Sequence, residues 1–347
     1  MAKQFYRMAV TAALMASLAC MTVATEPDAL APVTGGRRIM GAPWKIKVFA
    51  TDQTAGEAAI AAALLEVERL ERILSDYDPE SELSRLSAAA PMQEPVTVSH
   101  DLLVVLVAAE SFRTTSAGAF DITIGPLTTL WRQARRSGRL PRDDKLAAAR
   151  AAVGGDGIEL DHQARRVRLT KPGMRLDAGG IGMGYAADRA MAVLKTHRIT
   201  SAMIDASGDI LVSAAPPGTI GWRILVAPLR PGGEGETISL VNAAVTTSGD
   251  AFQAVEIDGV RYSHIVDPRT GLGVRGPSAV TVIAPDATAA DALATAANVL
   301  GPVHGPALLK QYPEVSARFM WREEKSVRTL VTDGWPDRDA AQAVTSQ

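Results

Sequence analysis

Between Ala55 and Leu74 the apolar positions Ile60, Leu64, Val67, Leu70 and Leu74 recur every three to four residues, which predicts an amphipathic helix. Glu68 stands four residues before Arg72 as a helical pair on its surface. Upstream, Trp44 to Ala50 alternates as a strand does, and Ser75-Asp76-Tyr77-Asp78-Pro79 ends the helix. A second helix is expected from Asp101, as its cap, to about Ser116-Ala117-Gly118, and another over Thr128 to Val153, interrupted at Pro141. Ile158 to Leu169 reads as a hairpin and Met174 to Asp177 as a short strand, followed by a helix over Tyr185 to Lys195. Strands are then expected at Ser201–Ala206, Gly221–Leu229, Ile238–Thr246 and Val280–Ala284, with a helix at Ala287–Leu300. Val255 to Val260 carries an Asp258-Gly259 hairpin turn, and short strands close the chain near Ala317–Met320 and Val327–Val331. Hairpins mixed with helices, rather than a regular βαβ series, predict an α+β fold with largely antiparallel sheets.

The 347 residues are 47% hydrophobic and 21% charged, with a formal net charge of −2. That balance is globular, and without a basic block it speaks against nucleic acid as the main partner. Lys3 and Arg7 precede an apolar run from Met8 to Val23, which reads as an export signal over residues 1–24 with a small-x-small site at Thr22-Val23-Ala24. Lipidation at Cys20, after Ser17-Leu18-Ala19, is the other processing route. The expected location is periplasmic, either free or held at the inner membrane by a lipid on Cys20. Cys20 is the only cysteine, so the mature domain has no internal disulfide. No apolar stretch beyond the N-terminus is long enough to span a bilayer. Residues 25–38 read as a tether, 39–335 as the functional domain and 336–347 as a polar tail.

Two segments concentrate chemistry. Ser263-His264-Ile265-Val266-Asp267-Pro268-Arg269-Thr270-Gly271 places an imidazole, a carboxylate and a guanidinium in one loop. His264 is either a hydrogen-bonded core histidine or a general base, since imidazole titrates near neutral pH. Asp267 is a candidate to orient that imidazole or the following turn, and Arg269 to pair with a phosphate or carboxylate. The second segment, Asp177-Ala178-Gly179-Gly180-Ile181-Gly182-Met183-Gly184-Tyr185, lies before a helix, where free amides favour phosphate. The same glycines also suit a tight packing turn, and their spacing is not the dinucleotide-binding G-x-G-x-x-G. Asp291 and Thr295, four apart, share one face of the Ala287–Leu300 helix. That pair is either ordinary helix surface or a pair of hard oxygen ligands of the kind Mg²⁺ takes.

Six segments together resemble, in order, the FAD:protein FMN transferase (ApbE-like) family. They are Met40-Gly41; Ser75-Asp76-Tyr77 with Ser81-Glu82-Leu83-Ser84; Gly118-Ala119-Phe120-Asp121 with Gly125-Pro126-Leu127 and Trp131; the glycine loop; Thr247-Ser248-Gly249-Asp250 leading to His264–Gly271; and Ala290-Asp291-Ala292-Leu293-Ala294-Thr295-Ala296. The resemblance spans about residues 40–300. It implies a bilobal single domain that uses FAD as substrate and Mg²⁺ as cofactor, attaches FMN to a Thr or Ser of an acceptor protein, and releases AMP. The implied acceptor belongs to an electron-transfer system.

By the same resemblance FAD contacts Met40, Tyr77, Ala119, Phe120, Asp121, Met183, His264 and Ile265. The metal takes Asp291, Thr295 and the backbone carbonyl of Gly180, and the catalytic group comprises His264, Asp267 and Arg269. The chain departs from the family pattern at Ala42, where Thr is usual, at Met183, where many relatives carry Lys, at Asp205, where Asn is common, and at Ser207, the first of two usual glycines. An FAD pyrophosphatase, or a non-catalytic FAD-binding carrier, are the competing functions.

Overall fold

Helix α1 (Gln53–Leu74) forms where the apolar stripe predicts it, capped by the Asp52 side chain on the Ala55 amide, and buries Ile60, Leu64, Val67, Leu70 and Leu74. In the computed structural model, residues 30–229, 235–250, 253–324 and 326–337 are described. The export signal and Cys20 lie outside them, as does most of the polar tail.

In chain order the strands are β1 (Ala31–Ile39), β2 (Ala42–Ala50), β3 (Val96–Thr97), β4 (Ile158–Asp161), β5 (Arg166–Leu169), β6 (Ala202–Ala206), β7 (Asp209–Val212), β8 (Trp222–Val226), β9 (Glu236–Leu240), β10 (Ala243–Gly249), β11 (Ala254–Ile257), β12 (Val260–Val266), β13 (Gly273–Arg275), β14 (Ser278–Ala284), β15 (Ser316–Glu323) and β16 (Ser326–Val331). The remaining helices are α2 (Glu82–Ala88), α3 (His100–Thr115), α4 (Gly125–Ser137), α5 (Asp143–Ala151), α6 (Gly182–Thr196) and α7 (Ala287–Leu309), the last kinked at Gly301 ahead of Pro302.

An eight-stranded antiparallel sheet runs β1-β2-β6-β7-β10-β14-β15-β16. Helices α1, α6 and α7 cover one face, and the β8–β9 hairpin covers the other. Strand alternation sorts the two faces. Leu211, Ala244 and Val282 enter the large core under the helices, while Val212, Val245 and Ile283 meet Trp222, Ile224 and Ile238 of the hairpin. A smaller core joins Leu127, Trp131 and Ala134 of α4 to Ile257, Tyr262 and Val266 of the β11-β12-β13 sheet. The expected two-lobed α+β architecture is therefore present. The Asp258-Gly259 turn is also where the sequence predicts it, both residues having positive φ (51° and 73°) as a two-residue hairpin requires.

Several local expectations change. The tether overlaps β1, which pairs residue for residue with β2 and buries Val33 and Ile39 against the core. Its glycines and arginines hid a half-buried edge strand. Ser99, not Asp101, caps α3, and the Asp101 carboxylate instead takes Arg69 (2.8 Å) and the Tyr185 hydroxyl (2.7 Å). Glu68 pairs with Arg37 of β1 in place of Arg72. Residues 174–177 form no strand and make only an isolated bridge from Arg175 to Ile124. The expected strand Ile238–Thr246 is two, β9 and β10, parted at Asn242, a residue type that tolerates its φ of 47°. Helix α2 and strand β7 were not expected.

Candidate active site

The glycine loop and α7 are built to touch. A side chain on Gly184 would put its Cβ 2.2 Å from the Ala287 carbonyl oxygen and 3.0 Å from the Asp291 Cβ, so only glycine lets α6 and α7 approach this closely. At Gly180 a Cβ would lie 3.0 Å from Thr295 Oγ1 and 3.4 Å from the Phe120 ring. The Gly184 amide donates to Asp291 Oδ2 (3.2 Å), and Ser248 Oγ of β10 is 3.3 Å from Thr295 Oγ1. Asp188 of α6 fastens the start of α7 by accepting from the Ala287 and Thr288 amides (2.8 and 2.9 Å). Three residues expected to hold a metal thus share one corner: Gly180, Asp291 and Thr295. Phe120 packs beside them.

The electrostatics of that corner call for a cation. Asp291 is buried, and burial, then the neighbouring carboxylates Asp209 and Asp188, push its carboxyl well above the ordinary carboxylate range, while the Gly184 amide opposes the shift. No cationic side chain is among these influences. A desolvated carboxylate beside two others is stable as an anion only with a counter-charge. Among the described residues no group of three or more His, Cys, Asp and Glu side chains could hold a metal. One or two carboxylates with hydroxyl and carbonyl oxygens instead match Mg²⁺, which keeps waters and takes phosphate oxygens. The residues present therefore fit the ion that the family resemblance implies.

His264 sits on β12, its amide donating to the Gln253 carbonyl (3.0 Å), and its Nδ1 is buried with no hydrogen-bond partner. Burial, then the Arg135 guanidinium, hold its pKa below the ordinary value, against the Gln253 backbone bond and Asp250. Both influences favour the neutral imidazole, and one ring nitrogen is unused. Ser263, fully buried, anchors this strand to α4 through its carbonyl and Trp131 Nε1 (2.9 Å), and its Oγ accepts from the half-buried Ile265 amide (3.0 Å).

Of the two roles open to Asp267 the structure shows the turn, and Arg269 pairs with a carboxylate, that of Asp267. Asp267 accepts from the Arg269 amide, Nε and guanidinium terminus (each 2.9 Å), and Arg269 also donates to the Val299 carbonyl (3.3 Å). Asp267 thus orders the Pro268–Gly271 turn rather than the imidazole, and Arg269 spends its charge on Asp267. A carboxylate two residues from an arginine satisfies it locally before either reaches a distant group.

The other expected FAD contacts lie on several separate elements. Tyr77 is 76% exposed, and the Arg132 guanidinium lies 4.2 Å from its ring centroid. Arg132 joins Asp76 (2.6 Å) to Asp177 (3.0 Å), and Asp177 also accepts from the Gly179 amide (2.8 Å) and Thr128 Oγ1 (2.6 Å). Ala119, Phe120 and Asp121 are buried, and Asp121 accepts from the Thr123 amide and hydroxyl. Burial raises the Asp121 pKa against those bonds. Gly118 and Asp121 line an open groove of about 560 Å³ with Arg150, Pro268 and Arg269, so two of the matching segments share a wall. Met40, in the β1–β2 turn, and Met183, in the first turn of α6, are half-buried against the large core. Arg132 and Asp209 were missed by sequence reasoning. Arg132 follows Trp131 on an arginine-rich helix with nothing local to distinguish it, and Asp209 follows the Ser207-Gly208 turn with nothing local to mark it.

The sequence model of the ApbE family matches residues 40–319. The FAD:protein FMN transferase of Treponema pallidum (strain Nichols) is 31% identical over 309 residues, covering 83% of this chain and 84% of that protein. Its counterpart from Haemophilus influenzae is 31% identical over 249 residues, 67% of this chain and 72% of that protein. The crystal structure of the Pseudomonas stutzeri flavinyl transferase ApbE in its apo form superposes with a TM-score of 0.77 at 29% identity, over 88% of this chain and 95% of that one. The flavin transferase ApbE from Vibrio cholerae gives 0.79 at 27% identity, over 88% and 98%. With the glycine loop, the α7 pair and the β12 histidine in one continuous fold, and the family model covering most of its length, the chain belongs to the ApbE family.

Proposed function

We propose that this protein transfers FMN from FAD to a Thr or Ser hydroxyl of an acceptor protein of an electron-transfer system, with Mg²⁺, and releases AMP. The observation that carries the reading is the oxygen-lined corner of Gly180, Asp291 and Thr295, which holds a buried carboxylate without a protein cation. Mg²⁺ bound there would neutralise charge on the pyrophosphate.

His264 takes the proton of the incoming hydroxyl as its oxygen bonds to the FMN phosphorus. The phosphoanhydride bond breaks and its bridging oxygen leaves with AMP. The lowered pKa of the imidazole, which favours its neutral form, suits it to this role. Asp177 and Arg132 hold the glycine loop against α4, and with it the Gly180 backbone beside Thr295. Tyr77 offers an exposed ring for the aromatic part of the substrate.

The test incubates the protein with FAD, Mg²⁺ and an acceptor carrying a flavinylation sequence, and weighs the acceptor. A gain of one FMN less a water supports transfer. AMP without acceptor modification supports FAD pyrophosphatase action instead, and bound FAD with no AMP supports a carrier, the outcome that Met183 and Ser207 would favour. We also infer export to the periplasm from Lys3, Arg7 and the apolar run Met8–Val23. Cell fractionation and the mass of the mature N-terminus test that reading and distinguish cleavage after Ala24 from a lipid on Cys20.

A further inference from the structure

Thr295 has left the usual partner of a helical threonine. Inside a helix a threonine hydroxyl ordinarily donates to the carbonyl one turn back. In this chain Thr115 of α3 donates to the Ser111 carbonyl (3.0 Å), and Thr129 of α4 to the Gly125 carbonyl (2.8 Å). The corresponding acceptor for Thr295 is the Asp291 carbonyl. Among the described residues, however, the one hydrogen-bond partner of the Thr295 hydroxyl is Ser248 Oγ of β10, 3.3 Å away. The same hydroxyl borders the glycine loop, since a Cβ on Gly180 would lie 3.0 Å from Thr295 Oγ1.

Ser248 is itself held by α7. Asn298, which is 1% exposed, donates from Nδ2 to the Ser248 carbonyl (3.2 Å) and to Ser278 Oγ (3.3 Å). Strand β7 pairs with β10 over Ala243–Val245, whereas β14 pairs with it as far as Gly249. Past Val245 the strand keeps β14 as its partner, and the Asn298 amide adds a tie to the helix. Thr295 and Asn298, three residues apart on one face of α7, therefore grip a single serine by its hydroxyl and its carbonyl.

We propose that Ser248 is a positioning residue of the cation site: its hydroxyl accepts the Thr295 proton and holds the Thr295 oxygen off its own helix, with lone pairs free for a divalent cation. This rests on the cation site described under the proposed function. Between two hydroxyls either can be the donor. A hydroxyl oxygen that gives a lone pair to a cation turns its proton away from the charge, so with an ion bound Thr295 is the donor and Ser248 the acceptor. Such an outer hydrogen bond fixes the orientation of a ligand and strengthens it. Without Ser248 the next acceptor for the Thr295 proton is the Asp291 carbonyl, and the side-chain rotation that reaches it carries the oxygen along.

The test titrates Mn²⁺ alone into the metal-free protein and follows the free-ion EPR signal. The variants are Ser248→Ala, Ser248→Thr, Thr295→Val, Asp291→Asn and Ser248→Ala combined with Thr295→Val. Ser248→Ala should bind Mn²⁺ at least about 10-fold more weakly, in the range seen when a group behind a metal ligand is removed. Ser248→Thr keeps the hydroxyl and should restore the affinity to within about twofold of wild type. In the Thr295→Val background Ser248→Ala should cost nothing further, because the serine acts through that one hydroxyl. A serine that merely packs would lower the metal-free melting temperature in Ser248→Ala and leave Mn²⁺ affinity unchanged, which overturns the proposal. An equal loss from Ser248→Ala in both backgrounds also overturns it, since the serine would then act without Thr295. Wild-type affinity in Thr295→Val, with binding lost in Asp291→Asn, overturns it and leaves the Asp291 site standing. Wild-type affinity in Asp291→Asn sinks the cation site itself.

Discussion

Replacing Gly184 by alanine should destabilise the protein, although alanine is the better helix former. In an open helix the exchange gains about 1 kcal/mol. Here the new methyl would lie 2.2 Å from the Ala287 oxygen and 2.6 Å from its carbonyl carbon, against an ordinary contact of about 3.4 Å or more. The opposing atoms are backbone at the start of α7, held by Asp188 and by the Asp286 cap on Ala289, so they have no flexible end to swing away. Relief requires α6 and α7 to part by about 1 Å, and overpacking of this kind costs roughly 1–3 kcal/mol or more. We expect a net loss of about 1–3 kcal/mol, and with it a weaker Gly184–Asp291 bond.

The internal control is Gly182→Ala, one half-turn away in the same helix, where the nearest atom is the Ala178 Cβ at 3.4 Å. That variant should be neutral or stabilised by up to about 1 kcal/mol. Urea unfolding of the two variants, with and without Mg²⁺, is the assay. Equal stability of Gly184→Ala and Gly182→Ala would refute the account of why glycine is required at 184.

Other consequences can be checked separately. His264→Ala should slow transfer far more than it weakens FAD binding, and a loss confined to affinity would remove its role as base. Because burial and Arg135 lower the His264 pKa, the imidazole stays neutral below its ordinary value of about 6.5. The acid limb of the transfer rate should therefore lie below that pH and move upward in Arg135→Gln, and an unmoved limb would exclude Arg135 as a cause. By linkage, the native state binds the His264 proton less tightly than the unfolded chain, so this residue's contribution to stability is lost as pH falls from about 6.5 through the lowered value. Arg132→Met should leave Asp76 and Asp177 buried without their shared partner and cost about 3 kcal/mol in denaturant unfolding. An effect under about 1 kcal/mol would mean that the bridge is dispensable. Ser207→Gly should stabilise by roughly 0.5–1 kcal/mol, since Ser207 holds a φ of 61° that costs any residue with a Cβ. Destabilisation by this change would show that the serine side chain has a role in the turn.

The amino-acid sequence alone determined whatever depends on spacing within a few residues. The α1 stripe, the Asp258-Gly259 hairpin and the shared helix face of Asp291 and Thr295 are legible because helix and strand periods and positive-φ turns are local properties. Order and residue type along the chain also sufficed to assemble the matching segments. Local spacing misled where a partner from another element competed: Glu68 leaves the helical pair with Arg72 for Arg37 on the neighbouring strand. Only the tertiary structure decided the charges that meet across elements. Arg132 of α4 bridges Asp76 and Asp177, because helix packing brings together residues 45 and 56 positions apart. No pattern within a window of sequence encodes such a meeting. It exists once α6 and α7 pack on the sheet, and the cost of burying Asp291 without a counter-charge is what turns a packed corner into a site for a cation.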